Sequence, residues 1–181
     1  MLGSPRFQRW AAGFPLTRPV ARRRAAALFD LCAGFVYSQV LVACVRLEVL
    51  ELVRRRPRRL DEIAVATGLP LDAAERLVRA AVALRLLERR SRGRVGLRVH
   101  GASYAGNPAL AAMIEHHALL YRDLADPVAL LSGPRGDTEI GRFWSYGPGV
   151  ADDAPRYSRL MARSLSLLAE DILDAYPVAR H

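Results

Sequence analysis

The sequence has no lysine: all 27 of its basic residues are arginine, and 18 carboxylates oppose them, leaving a formal charge of +9. An arginine-only set beside abundant alanine follows genome composition as readily as selection for a polyanion. Solvated arginines on helix surfaces and a nucleic-acid or acidic-lipid surface therefore both stay open. Cysteine is nearly missing too. Cys32 and Cys44 lie too far apart along one helix to bridge, which excludes a disulfide scaffold and suits a reducing compartment. Both are expected as small buried apolar residues. His116 and His117 are adjacent, so on a helix they point about 100° apart and cannot chelate one ion. No cluster of Cys, His, Asp or Glu completes a site, and no metal is expected. There is no G-x-G-x-x-G run, and residues 132–137 carry too few glycines, wrongly spaced, to cradle a phosphate. The N-terminus lacks an apolar segment followed by a small-residue cleavage site, which excludes a secretory signal. A cytoplasmic location is expected.

What is present is globular in balance: 181 residues, 51% hydrophobic and 25% charged, enough for one domain or one and a half. The chain is organised around residues 28–53. Asp30, Ser38, Gln39, Arg46, Glu48 and Glu51 are the only breaks in an otherwise apolar run. Phe29, Cys32, Val36, Val40, Ala43 and Leu47 recur at helical spacing on one face, and Leu31, Phe35, Leu41 and Val45 make the opposite face apolar as well. A helix apolar all round must be covered on every side. A membrane span is short of residues, its cleanest part being 31–45 with Ser38 and Gln39 inside it. A monomer core and a core shared by two copies both satisfy the pattern. In a chain this small, a second copy is the expected cover, so a homodimer is expected through this helix.

Residues 1–24 read as an arm, with Pro5, Pro15 and Pro19 and the run Arg22-Arg23-Arg24. Phe7, Trp10, Phe14 and Leu16 interleave with Arg6, Arg9 and Arg18. Such an arm suits a membrane surface, with aromatics dipping in and arginines on headgroups, which would make the protein peripheral to the inner membrane. It equally suits packing across a partner subunit. The prolines argue against one continuous amphipathic helix and so favour the second reading.

Residues 25–100 hold the long helix and a second unit that follows the basic break at 54–59. A short helix runs from Leu60 to Thr67, with Asp61 as the expected N-cap and Gly68 at the C′ position. Asp72 and Glu75 form a capping-box pattern for a helix from about Ala73 to Leu87, burying Ala74, Leu77, Val78, Ala81 and Leu84. Segments 87–90 and 95–99 flank Ser91-Arg92-Gly93-Arg94 as a hairpin. Helix, turn, helix, hairpin predicts a mainly α fold: a winged helix-turn-helix with a small β-hairpin wing and additional helices. A free-standing winged-helix DNA-binding regulator is one function for it. However, Asp72 and Glu75 occupy the turn that would approach base edges, and no Asn, Gln or Lys sits there to read them. A nucleic-acid partner is therefore not expected.

Residues 101–181 read as helices with irregular connections. One helix starts at Asn107-Pro108 and runs through Met113, His116, Leu120, Tyr121 and Leu124. Phe143-Trp144-Ser145-Tyr146-Gly147 is an aromatic knot. The last helix spans 157–176, and its stripe of Tyr157, Leu160, Met161, Ser164, Leu168 and Ile172 is either core or a wall of an apolar pocket, with Met161 as a pliable gap-filler.

The order of these features resembles a known family. A long dimer-core helix is followed by the winged unit, then by His117-x-x-Leu120-Tyr121-x-x-Leu124-x-x-Pro127-Val128, by Phe143-Trp144-x-Tyr146, and by Tyr157-x-x-x-Met161-x-x-Ser164. This is similar to the N-terminal half of the dimeric small-molecule O-methyltransferases that use S-adenosylmethionine. Phe7-Gln8-Arg9-Trp10-Ala11-Ala12-Gly13-Phe14-Pro15-Leu16, Leu28-Phe29-Asp30-Leu31 and Gly34-Phe35-Val36-Tyr37-Ser38-Gln39 further resemble its carotenoid-pathway branch, the bacterial demethylspheroidene (hydroxyneurosporene) O-methyltransferases. The resemblance implies dimerisation through the long helix and winged unit. It implies that Tyr157, Met161 and Ser164, and more weakly Phe143 and Trp144, line a pocket for a hydrophobic substrate, with a hydroxyl of an acyclic carotenoid as methyl acceptor. Some phenolic relatives carry a His where Ser164 stands. In the family, the strand and glycine-rich loop that hold the cofactor follow the helix matching 157–176, and so does the catalytic base. This chain reaches only His181. The Rossmann-like methyltransferase domain is thus expected to be absent from these 181 residues, which by themselves should hold no catalytic residue, bind no S-adenosylmethionine and transfer no methyl group.

Overall fold

The computed structural model describes residues 4–105, 107–133 and 138–143, with Ser158 and Ala162 as isolated helical positions. Two compact units make up the chain, residues 1–40 and residues 41–181.

In the first unit, helix α1 (Pro5–Gly13) is followed by a tight turn and by the start of helix α2 (Arg18–Arg46). Pro5 is accepted in the first helical turn, where its missing N–H has no partner to lose. The Thr17 hydroxyl donates to the Ala11 carbonyl at 2.7 Å, while Phe14 and Arg18 amides bond back to Trp10 and Phe14, so the turn is tied on both sides. The stretch read as an arm is therefore largely helical: its prolines interrupt the helix between α1 and α2 without preventing either.

The core helix differs from expectation at both ends. It starts at Arg18, and it breaks at Glu48, whose left-handed backbone (φ 53°, ψ 23°) separates α2 from α3 (Val49–Arg55). A single helix through residue 53 would carry Val49, Leu50 and Val53 away from the core they enter, and all three are buried together with Val42, Cys44 and Val45. No glycine or proline marks the break. Burial is also one-ended. Only Val42, Cys44 and Val45 of α2 are buried, whereas Cys32, expected inside, is exposed.

The second unit holds the winged helix-turn-helix. Strand β1 (Arg58–Arg59) runs into α4 (Leu60–Thr67), which Gly68 closes in the left-handed region at φ 68°. Next comes α5 (Leu71–Ala83), then β2 (Leu87–Arg89), a short turn at 91–93 and β3 (Arg94–Leu97). The three strands form an antiparallel sheet in the order β1-β3-β2, with Leu87 opposite Leu97 and Arg58 opposite Val95. Strand β1 was not expected from sequence. Two caps also differ. Arg59, not Asp61, is the N-cap of α4, and its amide donates to the Glu62 carboxylate at 2.7 Å. Pro70, not Asp72, precedes α5, which ends at Ala83 rather than Leu87. Asp72 sits inside the first turn and accepts from Arg76 at 2.6 Å.

Helix α6 (Val99–Ala105) seals the sheet. Gly101 permits it: a Cβ there would lie 2.1 Å from the Leu86 carbonyl oxygen. The joint is completed by Arg98 N–H to Leu86 O (3.0 Å) and His100 N–H to Arg85 O (3.2 Å). Helices α7 (Pro108–Asp123), α8 (Pro127–Ser132) and α9 (Glu139–Phe143) follow.

Candidate functional site

Two surfaces carry what the described residues offer for function. The first is the outward face of α2. Leu28, Leu31, Cys32 and Phe35 follow at i, i+3, i+4 and i+7, which aligns them along one side of a helix. Leu28 is 64% exposed, Leu31 80% and Phe35 68%, and Phe29 and Val36 flank them, also exposed. A contiguous exposed apolar ridge of this kind marks an interaction surface. Asp30 and Tyr37 lie off the ridge, where the Tyr37 hydroxyl donates to Asp30 at 3.2 Å. At its far end the helix is anchored: Cys44 is fully buried and its thiol is pushed up to about 12 by burial, so it stays protonated and inert.

The second is the α7–α9 corner. The Asp123 carboxylate, at the end of α7, accepts from the Glu139 amide at 2.7 Å and the Ile140 amide at 2.9 Å, capping α9 from another helix. Arg122 pairs with Glu139 at 3.1 Å. This fixes α9 so that Phe143, buried, packs its ring on His116 with centroids 4.6 Å apart at 51°. Of the expected pocket residues, Phe143 alone is described; Trp144, Tyr157, Met161 and Ser164 lie outside the described residues. His117 is exposed on α7 while His116 meets the Phe143 ring. Among the described residues no group of three metal-ligating side chains occurs.

Asp123 was not singled out from sequence, because the amides it holds are 16 and 17 residues away across a loop. A second cleft, about 310 Å³, opens where α2 breaks, lined by Arg46, Glu48, Glu51, Arg55 and their neighbours.

On the recognition-like helix α5, Arg76 is engaged by Asp72, whose carboxyl is held below its usual range chiefly by that hydrogen bond. Arg56 and Arg58 are likewise drawn to Glu62. These cations serve their own carboxylates, as solvated helix surfaces do.

The model of the O-methyltransferase dimerisation domain family matches residues 29–112. That stretch is similar to the O-methyltransferase dimerisation-domain family. It takes in the α2 ridge from residue 29 onward, the winged unit and the first turn of α7. The chain is similar to the demethylspheroidene O-methyltransferase of Cereibacter sphaeroides, 47% identical over 178 residues, which cover 96% of this chain and 47% of that protein. It is also similar to the demethylspheroidene O-methyltransferase of Rhodobacter capsulatus, 45% identical over 164 residues, covering 88% and 41%. The chain thus spans less than half the length of the curated relatives it matches. In fold it is similar to human N-acetylserotonin methyltransferase in complex with SAM, with a TM-score of 0.61 at 20% identity, covering 84% of this chain and 49% of that one.

S-adenosylmethionine, the cofactor of the family, finds no cradle among the described residues of the dimerisation domain or its neighbours. A cofactor loop needs glycines after a strand, so that backbone amides can approach the ligand. Here β1 runs straight into α4, whose first turn holds the carboxylates of Asp61 and Glu62. The turn after β2 places Gly93 between Arg92 and Arg94, and β3 leads through Arg98 into α6.

Proposed function

We propose that the chain is the dimer-forming and substrate-walling half of an S-adenosylmethionine-dependent O-methyltransferase that methylates a hydroxyl of an acyclic carotenoid. Two copies associate through the α2 ridge and the winged unit, each covering apolar residues the other leaves exposed. Phe143, Trp144, Tyr157, Met161 and Ser164 wall the pocket for a hydrophobic substrate, a reading supported by the likeness of their sequence pattern to the family. The observation that carries this reading is the 47% identity to a demethylspheroidene O-methyltransferase along 96% of the chain. By themselves the 181 residues transfer no methyl group, because the cofactor loop has no counterpart in their sequence.

The test is a chimera in which residues 1–181 replace the matching half of the Cereibacter sphaeroides enzyme. The chimera should dimerise and methylate demethylspheroidene, whereas the 181-residue chain alone should give a blank. A folded, dimeric chimera that binds S-adenosylmethionine yet leaves the carotenoid unmethylated would refute the substrate assignment. Methyl transfer by the 181 residues alone would refute the division of labour.

A further inference from the structure

The arginines of this chain divide into two populations. In the second unit many are engaged: Arg54 with Glu51, Arg56 and Arg58 with Glu62, Arg76 with Asp72, Arg90 with Glu88 and Arg122 with Glu139. In the first unit Arg6, Arg9, Arg18, Arg22, Arg23 and Arg24 are all exposed, and no carboxylate among the described residues pairs with any of them. Residues 1–40 contain one acidic residue, Asp30, so six positive charges against one leave +5 of the chain's +9 in this segment.

Those cations border exposed apolar side chains. Phe7, Trp10 and Phe14 follow at three- and four-residue steps along one side of α1, with ring centroids 5.9 and 5.3 Å apart, while Gln8 and Arg9 fall on the other side. Trp10 is 56% exposed and Leu16 81%. Between α1 and the start of α2 lies a groove of about 740 Å³, lined by Phe7, Leu16, Thr17, Val20, Ala25 and Leu28.

We propose that this α1–α2 turn, residues 5–25, docks on the surface of a bilayer containing anionic phospholipid. Arginine guanidiniums meet the headgroup phosphates, and Trp10, Phe14 and Leu16 enter the boundary beneath them. Charge complementarity selects this occupant. A second copy laid on this same turn would set its six arginines, with no carboxylate among them, against six more. A nucleic acid would satisfy the arginines and stack on the rings, but it leaves Leu16 and Val20 in water. Full insertion is opposed by the far end of α2, where Cys44 is committed to the core of the second unit. By length and composition α2 is long and apolar enough to cross a membrane, but a span would draw Cys44 from that core or place Asp30 in hydrocarbon.

Flotation of the 181-residue chain with phosphatidylcholine vesicles, with and without phosphatidylglycerol, tests this. The chain should float only with the anionic vesicles and be released by salt at about 1 M, where the Debye length is about 3 Å. The triple variant Arg22→Gln/Arg23→Gln/Arg24→Gln should lose about 100-fold in partitioning, at roughly fivefold per basic residue near an anionic surface. Trp10→Ala/Phe14→Ala should weaken binding while leaving the circular dichroism of the chain unchanged. Equal flotation with neutral vesicles would overturn the proposal. So would retention through alkaline extraction, which would mean a span, or full binding by the triple variant. Displacement of the chain from anionic vesicles by single-stranded RNA at equal phosphate would overturn it in favour of nucleic acid. This surface does not depend on the methyl acceptor, so failure of the chimera leaves it standing.

Discussion

Replacing Phe35 by Ala tests whether the α2 ridge joins two copies. Phe35 is 68% exposed in one copy. Taking a Phe surface of about 200 Å², roughly 140 Å² is left for a partner to cover. At about 25 cal/mol per Å² that is about 3 kcal/mol, of which an alanine methyl recovers a third, so the loss is about 2 kcal/mol per copy. An isologous interface uses each residue twice, which makes about 4 kcal/mol per dimer. At 1.4 kcal/mol per decade, the dissociation constant should rise by about a thousandfold. Sedimentation velocity over a concentration series reads this directly. The far-ultraviolet spectrum and the unfolding midpoint at low concentration should stay as in the parent, because an exposed side chain contributes little within its own chain. A Phe35→Ala chain that folds and associates with unchanged affinity would refute the assignment of this face as the interface.

Other consequences follow from particular contacts. Gly101→Ala must push α6 about 1 Å off the Leu86 carbonyl and weaken two backbone hydrogen bonds, costing about 3 kcal/mol in denaturant unfolding. Asp123→Ala uncaps α9 and should cost about 1–2 kcal/mol, with loss of the ring-current shift that Phe143 imposes on His116 in proton spectra. Arg92 holds φ 57° in the wing turn, so Arg92→Asn should raise stability by about 0.5–1 kcal/mol in the same unfolding assay. Cys44 keeps its proton when folded up to about 12, against 9.0 for the ordinary thiol. Its raised pKa stabilises the fold fully below pH 9, and that contribution drains away as pH rises from 9 toward 12, because only the unfolded chain gives up the proton there. Thiol titration of the native chain should find no more than one reactive cysteine, Cys32, until denaturant exposes Cys44.

Legibility in the sequence followed the range of each interaction. Gly68 declared the end of α4 because only glycine takes φ 68° there without steric cost. Asn107-Pro108 opened α7 where expected; of the stripe read as buried, Ala74, Val78 and Ala81 are, while Leu77 and Leu84 are half-buried. The caps at Asp61 and Asp72 were misread because carboxylates near a helix start favour the first turn as well as the cap, and their arginine neighbours decide between the two. Strand β1 could not be read at all, since two arginines become a strand only by pairing with Arg94 and Val95.

The α2 segment divides the two kinds of information. Its apolar sequence determined that it is a helix, since periodicity is a property of the residues themselves. Where the helix stops, which turns are buried within the chain and which face is left outward were decided by packing. Glu48 takes a left-handed backbone because Val49, Leu50 and Val53 gain more by turning into the second unit than by continuing straight. Asp123 likewise becomes a cap only when the fold brings the amides of Glu139 and Ile140 to it. Contacts between residues distant in the chain have no local signature to read, and these are the contacts that set the break in α2 and the place of Phe143.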